Sequence, residues 1–197
     1  MQKAKITKVR SNLRKPTTQG FLKAAQQLVE ILEDEKLEEK DFFQKMHKGL
    51  SDLYSAGLQL EEACFSIPYT RKVKWLKRQR WYGLYEHKYA SLASKYLKDH
   101  YYLEVFDPIC SYDDDGVFHS KVPDNSVGPA SLIDDIGDIY DDLKTELEFL
   151  KIYNTNVAAG IALESLKWGF TVHWGNHCID ALRCLHYLFA KRDLNER

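Results

Sequence analysis

The sequence has no apolar run long enough to cross a membrane, little glycine or proline, and no closely spaced cysteines. Among its 197 residues there are 10 Gly and 5 Pro, which excludes collagen-like and low-complexity chains. A membrane-spanning helix needs about 20 consecutive apolar residues, and the apolar stretches here are far shorter. The basic segment 1–16 has no apolar run behind it, so it lacks the pattern of a secretory signal. We expect this segment to be flexible and residues 17–197 to form a single globular domain.

The four cysteines also exclude several classes of protein. Cys64, Cys110, Cys178 and Cys184 include no C-x-x-C pair, which argues against zinc ribbons and thioredoxin-type redox motifs. Cys178 and Cys184 are six residues apart in one predicted helix, about 9 Å along its axis, which is too far for a disulfide. We therefore expect free thiols and a cytoplasmic protein.

Charge is balanced over the whole chain but not along it. The formal net charge is −1, yet residues 1–100 carry 20 basic and 12 acidic side chains, whereas residues 101–197 carry 8 and 17. One explanation is that the two halves pack together and offset each other. The other is a molecule with a basic and an acidic face, which would orient partners by long-range attraction.

Hydrophobic periodicity predicts helices over most of the chain. The predicted helices span residues 17–34, 38–60, 69–99, 131–153 and 157–190. Residues 101–106 alternate as an extended segment does, and Asp115–Gly116 is typical of a hairpin turn. The predicted fold is therefore an all-α bundle of about five main helices, with a long irregular insertion near 101–130 that contains a short β-hairpin.

The last predicted helix is apolar on most sides, which is typical of a central, buried helix. A narrow stripe of polar and small residues interrupts it: Gly169, His173, His177, Asp180, Cys184 and Tyr187. His173 and His177 are four residues apart, so both can bind one divalent ion, with Asp180 as a third ligand or as a partner that orients His177. The favoured explanation of the stripe is a hydrogen-bonded core without any ligand, and a small-molecule pocket lined by Gly169, Cys184, Tyr187 and Asp135 is a further alternative.

The fourth predicted helix carries five aspartates, at positions 134, 135, 138, 141 and 142. Their D-x-x-D spacing is similar to the magnesium-binding pairs of helical nucleotide hydrolases. However, a helical wheel places Asp134, Asp138 and Asp142 opposite the apolar face, with only Asp135 at its margin. We therefore expect a solvated acidic face, in which negative charge near the start of the helix suits the helix dipole.

Three tracts resemble one family. Residues 168–186, which contain the run H-W-G-x-H-x-x-D-A-L-R, are similar to the C-terminal signature of a bacterial all-helical family known as a domain of unknown function. Residues 134–144 resemble its acidic helix, and residues 102–108 resemble its Y-x-E-V-F-D-P turn. The resemblance covers most of residues 20–190 and implies an all-helical cytoplasmic protein, without an assigned activity or catalytic residues.

The stretch 71–82 has six basic residues, no acidic one and three aromatics. Such a pattern is found where cations contact phosphates and rings stack on bases, but it is equally typical of a solvated basic face or of a dock for the acidic helix. No nucleophile elbow, Walker loop or dinucleotide fingerprint is present in the sequence.

Since no complete catalytic set is evident, the leading hypothesis is a non-enzymatic helical module that binds another protein or a second copy of itself. The alternative is a metal-binding protein or metal-dependent hydrolase built on His173, His177 and Asp180, with Asp135 or Asp138 contributing. A weaker third hypothesis is nucleic-acid binding through residues 71–80.

Overall fold

A computed structural model describes residues 9, 11–60, 70–81, 90–105, 111–112, 118–119 and 127–195. Its helices are α1 (Pro16–Glu33), α2 (Glu39–Leu58), α3 (Arg71–Trp81), α4 (Ala90–Tyr96), α5 (Leu132–Ile152), α6 (Asn156–Val172) and α7 (Trp174–Asn195). Its strands are β1 (Tyr101–Val105), β2 (Ser111–Tyr112), β3 (Phe118–His119) and β4 (Val127–Ser131). The predicted all-α class is confirmed.

The main core lies where α1, α2, α5 and α7 meet. Trp174 at the start of α7 is fully buried, with its ring centroid 5.7 Å from that of Phe21 and 5.0 Å from that of Phe170. Cys178, one turn further along α7, donates its thiol hydrogen to the carbonyl of Leu50 at 3.4 Å. Burial raises the pKa of this thiol to about 12, so Cys178 is an inert part of the core.

The insertion near 101–130 is more regular than the sequence predicts. Antiparallel pairing of β2 with β3 confirms the short hairpin, while its turn residues Asp115–Gly116 lie outside the described residues. Strand β4 was not predicted, because its sequence V-G-P-A-S does not alternate and contains both Gly and Pro. It pairs antiparallel with β1, with Tyr101 opposite Ser131, and thereby places β1 beside the start of α5.

The prediction of one helix over 157–190 is wrong, because the chain turns at His173 between α6 and α7. Gly175 permits this corner: a Cβ atom at this position would lie 2.0 Å from the carbonyl oxygen of Phe170. The prediction that apolar residues bury this segment on most sides is also wrong, since Trp168, Val172 and Ile179 are exposed.

The predicted helix over 69–99 is described as α3 and α4, and residues 82–89 between them lie outside the described part. In α3, Val73 and Leu76 are buried, whereas Trp75 is half exposed and packs edge-on against Tyr153. Within the described ranges, no helix combines the length and the apolar character needed to cross a bilayer.

At the N-terminus, Val9 is buried against Ala159 and Leu163 of α6. The flexibility of residues 1–16 and the single-domain boundary at residue 17 stay predictions.

Candidate metal centre

Asp138, His173 and His177 lie together at the corner between α6 and α7. One carboxylate oxygen and one ring nitrogen from each histidine lie within 4.8 Å of one another. Nε2 of His177 is 3.4 Å from Oδ2 of Asp138, and the two imidazole centroids are 4.9 Å apart. The three side chains come from three places, since Asp138 lies on α5, His173 is the corner residue and His177 is in the first turn of α7.

A separate carboxylate holds each histidine through its other ring nitrogen. Nδ1 of His173 is 2.9 Å from Oδ2 of Asp142, and Nδ1 of His177 is 2.9 Å from Oδ1 of Asp135. A carboxylate on Nδ1 accepts its hydrogen, which fixes the tautomer and leaves Nε2 as the basic nitrogen. Both rings are therefore prepared to bind a further group through Nε2.

Asp135 is the buried anchor of this arrangement, with a relative exposure of 4%. Its second oxygen accepts a hydrogen bond from the hydroxyl of Tyr102 on β1. Tyr102, Asp135 and His177 thus form a chain of phenol, carboxylate and imidazole across three elements. The hydrogen bond to Asp135 raises the pKa of His177, although partial burial opposes the shift. Burial, and then the bond to Asp135, raise the pKa of the Tyr102 hydroxyl far above its usual range.

Asp180 lies apart from the three-residue cluster. Its carboxylate is 3.1 Å from Nη2 of Arg183, with which it forms an ion pair, and burial raises its pKa. The expectation of a solvated acidic face is correct for Asp134 and Asp138, although Asp138 also stands beside His177. Asp142 is instead partly buried and contacts His173, and Asp135, expected at the margin of the apolar face, is buried and contacts His177.

The remaining residues of the predicted stripe lie on two sides of the corner. Gly169 faces the indole of Trp174, since a Cβ atom there would lie 2.8 Å from its Cδ1. Cys184 and Tyr187 line a separate cavity of about 470 Å³ together with Tyr102 and Arg183. The stripe was derived from one straight helix, so the turn at His173 divides it.

Two contributors to the site were not assigned to it from the sequence, namely Tyr102 and Asp142. Tyr102 belongs to a short strand 33 residues before Asp135, and no local pattern links the two. The D-x-x-D spacing does indicate Asp135 and Asp138 as ligand candidates. The helical wheel argues against them because it shows only which residues share the apolar face, and it cannot show contacts between polar residues of neighbouring helices.

Comparison with known proteins places the chain among relatives. Residues 13–191 match the profile of DUF5063, a family described as a domain of unknown function. The chain belongs to the DUF5063 family. This confirms the predicted resemblance to a domain-of-unknown-function family.

Among solved structures, this DUF5063 chain is similar to protein BF1032 from Bacteroides fragilis. Its crystal structure superimposes with a TM-score of 0.61 at 17% sequence identity, over 90% of this chain and 94% of that one. At this identity the similarity shows a common fold alone. No curated protein matches the sequence.

Proposed function

We propose that the protein binds a divalent transition-metal ion through Asp138, His173 and His177. The observation that carries the proposal is that each histidine is held through Nδ1 by its own carboxylate, with Asp138 close by. Histidines that bind metals almost always donate their second ring N–H to a carboxylate, a carbonyl or water. Because one oxygen of Asp138 and one ring nitrogen of each histidine lie within 4.8 Å of one another, the three groups can reach a single ion.

The donor set favours Zn²⁺ or a similar ion over Ca²⁺ and Mg²⁺. Calcium and magnesium prefer oxygen ligands alone, whereas two imidazoles and one carboxylate suit zinc, iron, cobalt and nickel. Three protein ligands leave at least one coordination position for water, which is the arrangement of catalytic rather than structural zinc sites.

The surroundings of the three ligands support an accessible site. The side chains of Asp138 and His173 are about half exposed, whereas Asp135 behind His177 is buried. Solvent and small molecules can therefore reach the ligands, while the carboxylate that orients His177 is buried. A bound ion would lower the pKa of a water molecule at the open position, which is the basis of the hydrolase alternative.

Isothermal titration of zinc into protein purified without an affinity tag and stripped with EDTA tests the proposal. We expect one ion per chain in the wild type and loss of binding in His177→Ala. Asp180→Asn is the matched control, because Asp180 lies in the same helix but pairs with Arg183, and we expect it to bind zinc as the wild type does.

Two results would overturn the proposal. One is a wild-type protein that binds no zinc, cobalt or nickel. The other is a His177→Ala variant that binds with wild-type affinity and is shown by circular dichroism to be folded.

We also propose that the protein is located in the cytoplasm. Cys178 is a free thiol in the core, and such thiols are typical of a reducing compartment.

A further inference from the structure

A groove of about 590 Å³ opens beside the proposed metal centre. Lys77 of α3, Asp142 of α5, Trp168 and Val172 of α6, and His173 at the corner contribute to its lining. We call it the His173 groove. Its volume lies within the usual range of small-molecule sites.

The His173 groove shares two residues with the metal centre. His173 is one of the three proposed ligands, and Asp142 is the carboxylate that holds its Nδ1 atom. A molecule in the groove therefore lies next to the imidazole that would bind the ion. Because the two sites are continuous, a molecule bound in the groove is placed to contact an ion at the metal centre.

The charge of the groove favours an anion once the ion is bound. Lys77 contributes a positive charge, while Asp142 and Glu164 contribute negative ones. Without metal the two carboxylates outweigh the single ammonium group. A divalent ion next to His173 adds two positive charges, and an ion with an open position binds anionic oxygens directly.

Another part of the groove lining is apolar. The side chain of Trp168 is 66% exposed and that of Val172 is 47% exposed, and both line the groove. The indole of Trp168 therefore contributes little to the core and offers exposed aromatic surface to a molecule in the groove. Stacking of a planar ring on an exposed aromatic side chain stabilises binding in other sites.

We propose that the metal-loaded protein binds a small molecule made of a flat apolar ring with one anionic oxygen group. The anionic group lies between Lys77 and the metal centre, and the ring lies on Trp168. The inference rests on the proposed metal site, since the ion supplies most of the positive charge.

Calorimetric titration of the zinc-loaded protein with phenyl phosphate tests this inference. Methyl phosphate, which lacks the ring, and benzyl alcohol, which lacks the anion, are the matched probes, and both are expected to bind more weakly. Benzoate distinguishes the anionic groups, because tighter binding of benzoate than of phenyl phosphate supports the inference with a carboxylate in place of the phosphate.

Substitutions of the two residues proposed to contact the ligand complete the experiment. We expect Lys77→Gln and Trp168→Ala each to weaken phenyl phosphate binding about tenfold, as the loss of about 1.4 kcal/mol implies, without any change in zinc affinity. Lys74→Gln, on an exposed position of the same helix, and Ile179→Ala, an exposed apolar residue of α7, are the controls that should retain binding.

The outcomes separate the two proposals. Zinc binding without any response to phenyl phosphate or benzoate would overturn the groove inference and leave the metal site standing. Equal affinity in the wild type, Lys77→Gln and Trp168→Ala would also overturn it, as would unchanged affinity in EDTA. Absence of zinc binding would overturn the metal site and, with it, this inference.

Discussion

Asp135 controls the protonation of His177 in the metal-free protein. Its carboxylate accepts the Nδ1 hydrogen of His177, which favours the imidazolium and raises its pKa above the ordinary 6.5. We expect Asp135→Asn to lower the pKa of His177, because the amide carries no charge. A proton NMR titration in EDTA measures this, with Asp134→Asn, the exposed neighbour, as the control.

The same interaction has a consequence for stability with a defined sign. Because the pKa of His177 is higher in the folded than in the unfolded chain, the stabilisation is full below pH 6.5 and is lost as pH rises through the raised value. Asp135→Asn should flatten this part of the stability profile. An unchanged pKa of His177 in the variant would contradict the geometry described for this pair.

Among the secondary-structure elements, the corner between α6 and α7 depends on one glycine. Gly175→Ala would place a methyl group 2.0 Å from the carbonyl oxygen of Phe170, and backbone cannot give way as a flexible side chain does. Overpacking costs about 1–3 kcal/mol, and we expect a loss of unfolding free energy at the upper end of that range, measured by urea denaturation.

Gly20→Ala is the matched control for this substitution. Gly20 lies inside α1, where an added Cβ meets nothing within 4 Å. Replacing an exposed helical glycine by alanine stabilises by about 0.5–1 kcal/mol. Equal effects of the two substitutions would show that the corner does not depend on Gly175.

Sequence periodicity predicted most elements but not their mutual arrangement. The pair His173 and His177, and Asp135 at the margin of its helix, were identified because helical spacing fixes which residues share a direction. Apolar spacing continues through residues 172–175, so the turn at His173 left no trace in the pattern. Asp138 lies beside His177, and Tyr102 bonds to Asp135, through the packing of α5, β1 and α7, which local spacing does not determine.

On the scale of the whole molecule, a bound ion would join α5 to the corner before α7. Ligand binding to the folded state alone adds about 2.7 kcal/mol at a free concentration of 100 times Kd. For a chain of this size, that corresponds to a rise in melting temperature of roughly 5–10 °C. Differential scanning calorimetry with zinc and with EDTA measures the rise.

The matched variant for this prediction is His177→Ala, whose melting temperature should not respond to zinc. A similar rise in this variant would place the bound ion elsewhere on the protein.

The two halves, which carry opposite net charge, pack against each other. Helix α1, from the basic half, lies against α5, from the acidic half. At this contact Nζ of Lys144 is 2.7 Å from Oε1 of Glu33, and the hydroxyl of Tyr140 donates to the same oxygen at 2.7 Å. The halves thus pack together, but this ion pair joins an acidic residue of the basic half to a basic residue of the acidic half, so mutual charge compensation stays a prediction. Long-range attraction of partners, the protein-interaction module and nucleic-acid binding by residues 71–80 stay predictions.

The corner at His173 also limits how this chain can change in length. Only one residue separates α6 from α7, and each residue added to a helix rotates the remainder of that helix by about 100°. An insertion there would turn Trp174 away from Phe21 and His177 away from Asp135 in a single step. The packing of Trp174 and the orientation of His177 therefore depend on the same rotation of α7 about its axis. A change of length that a surface loop tolerates would here disrupt both the core contact and the proposed metal site.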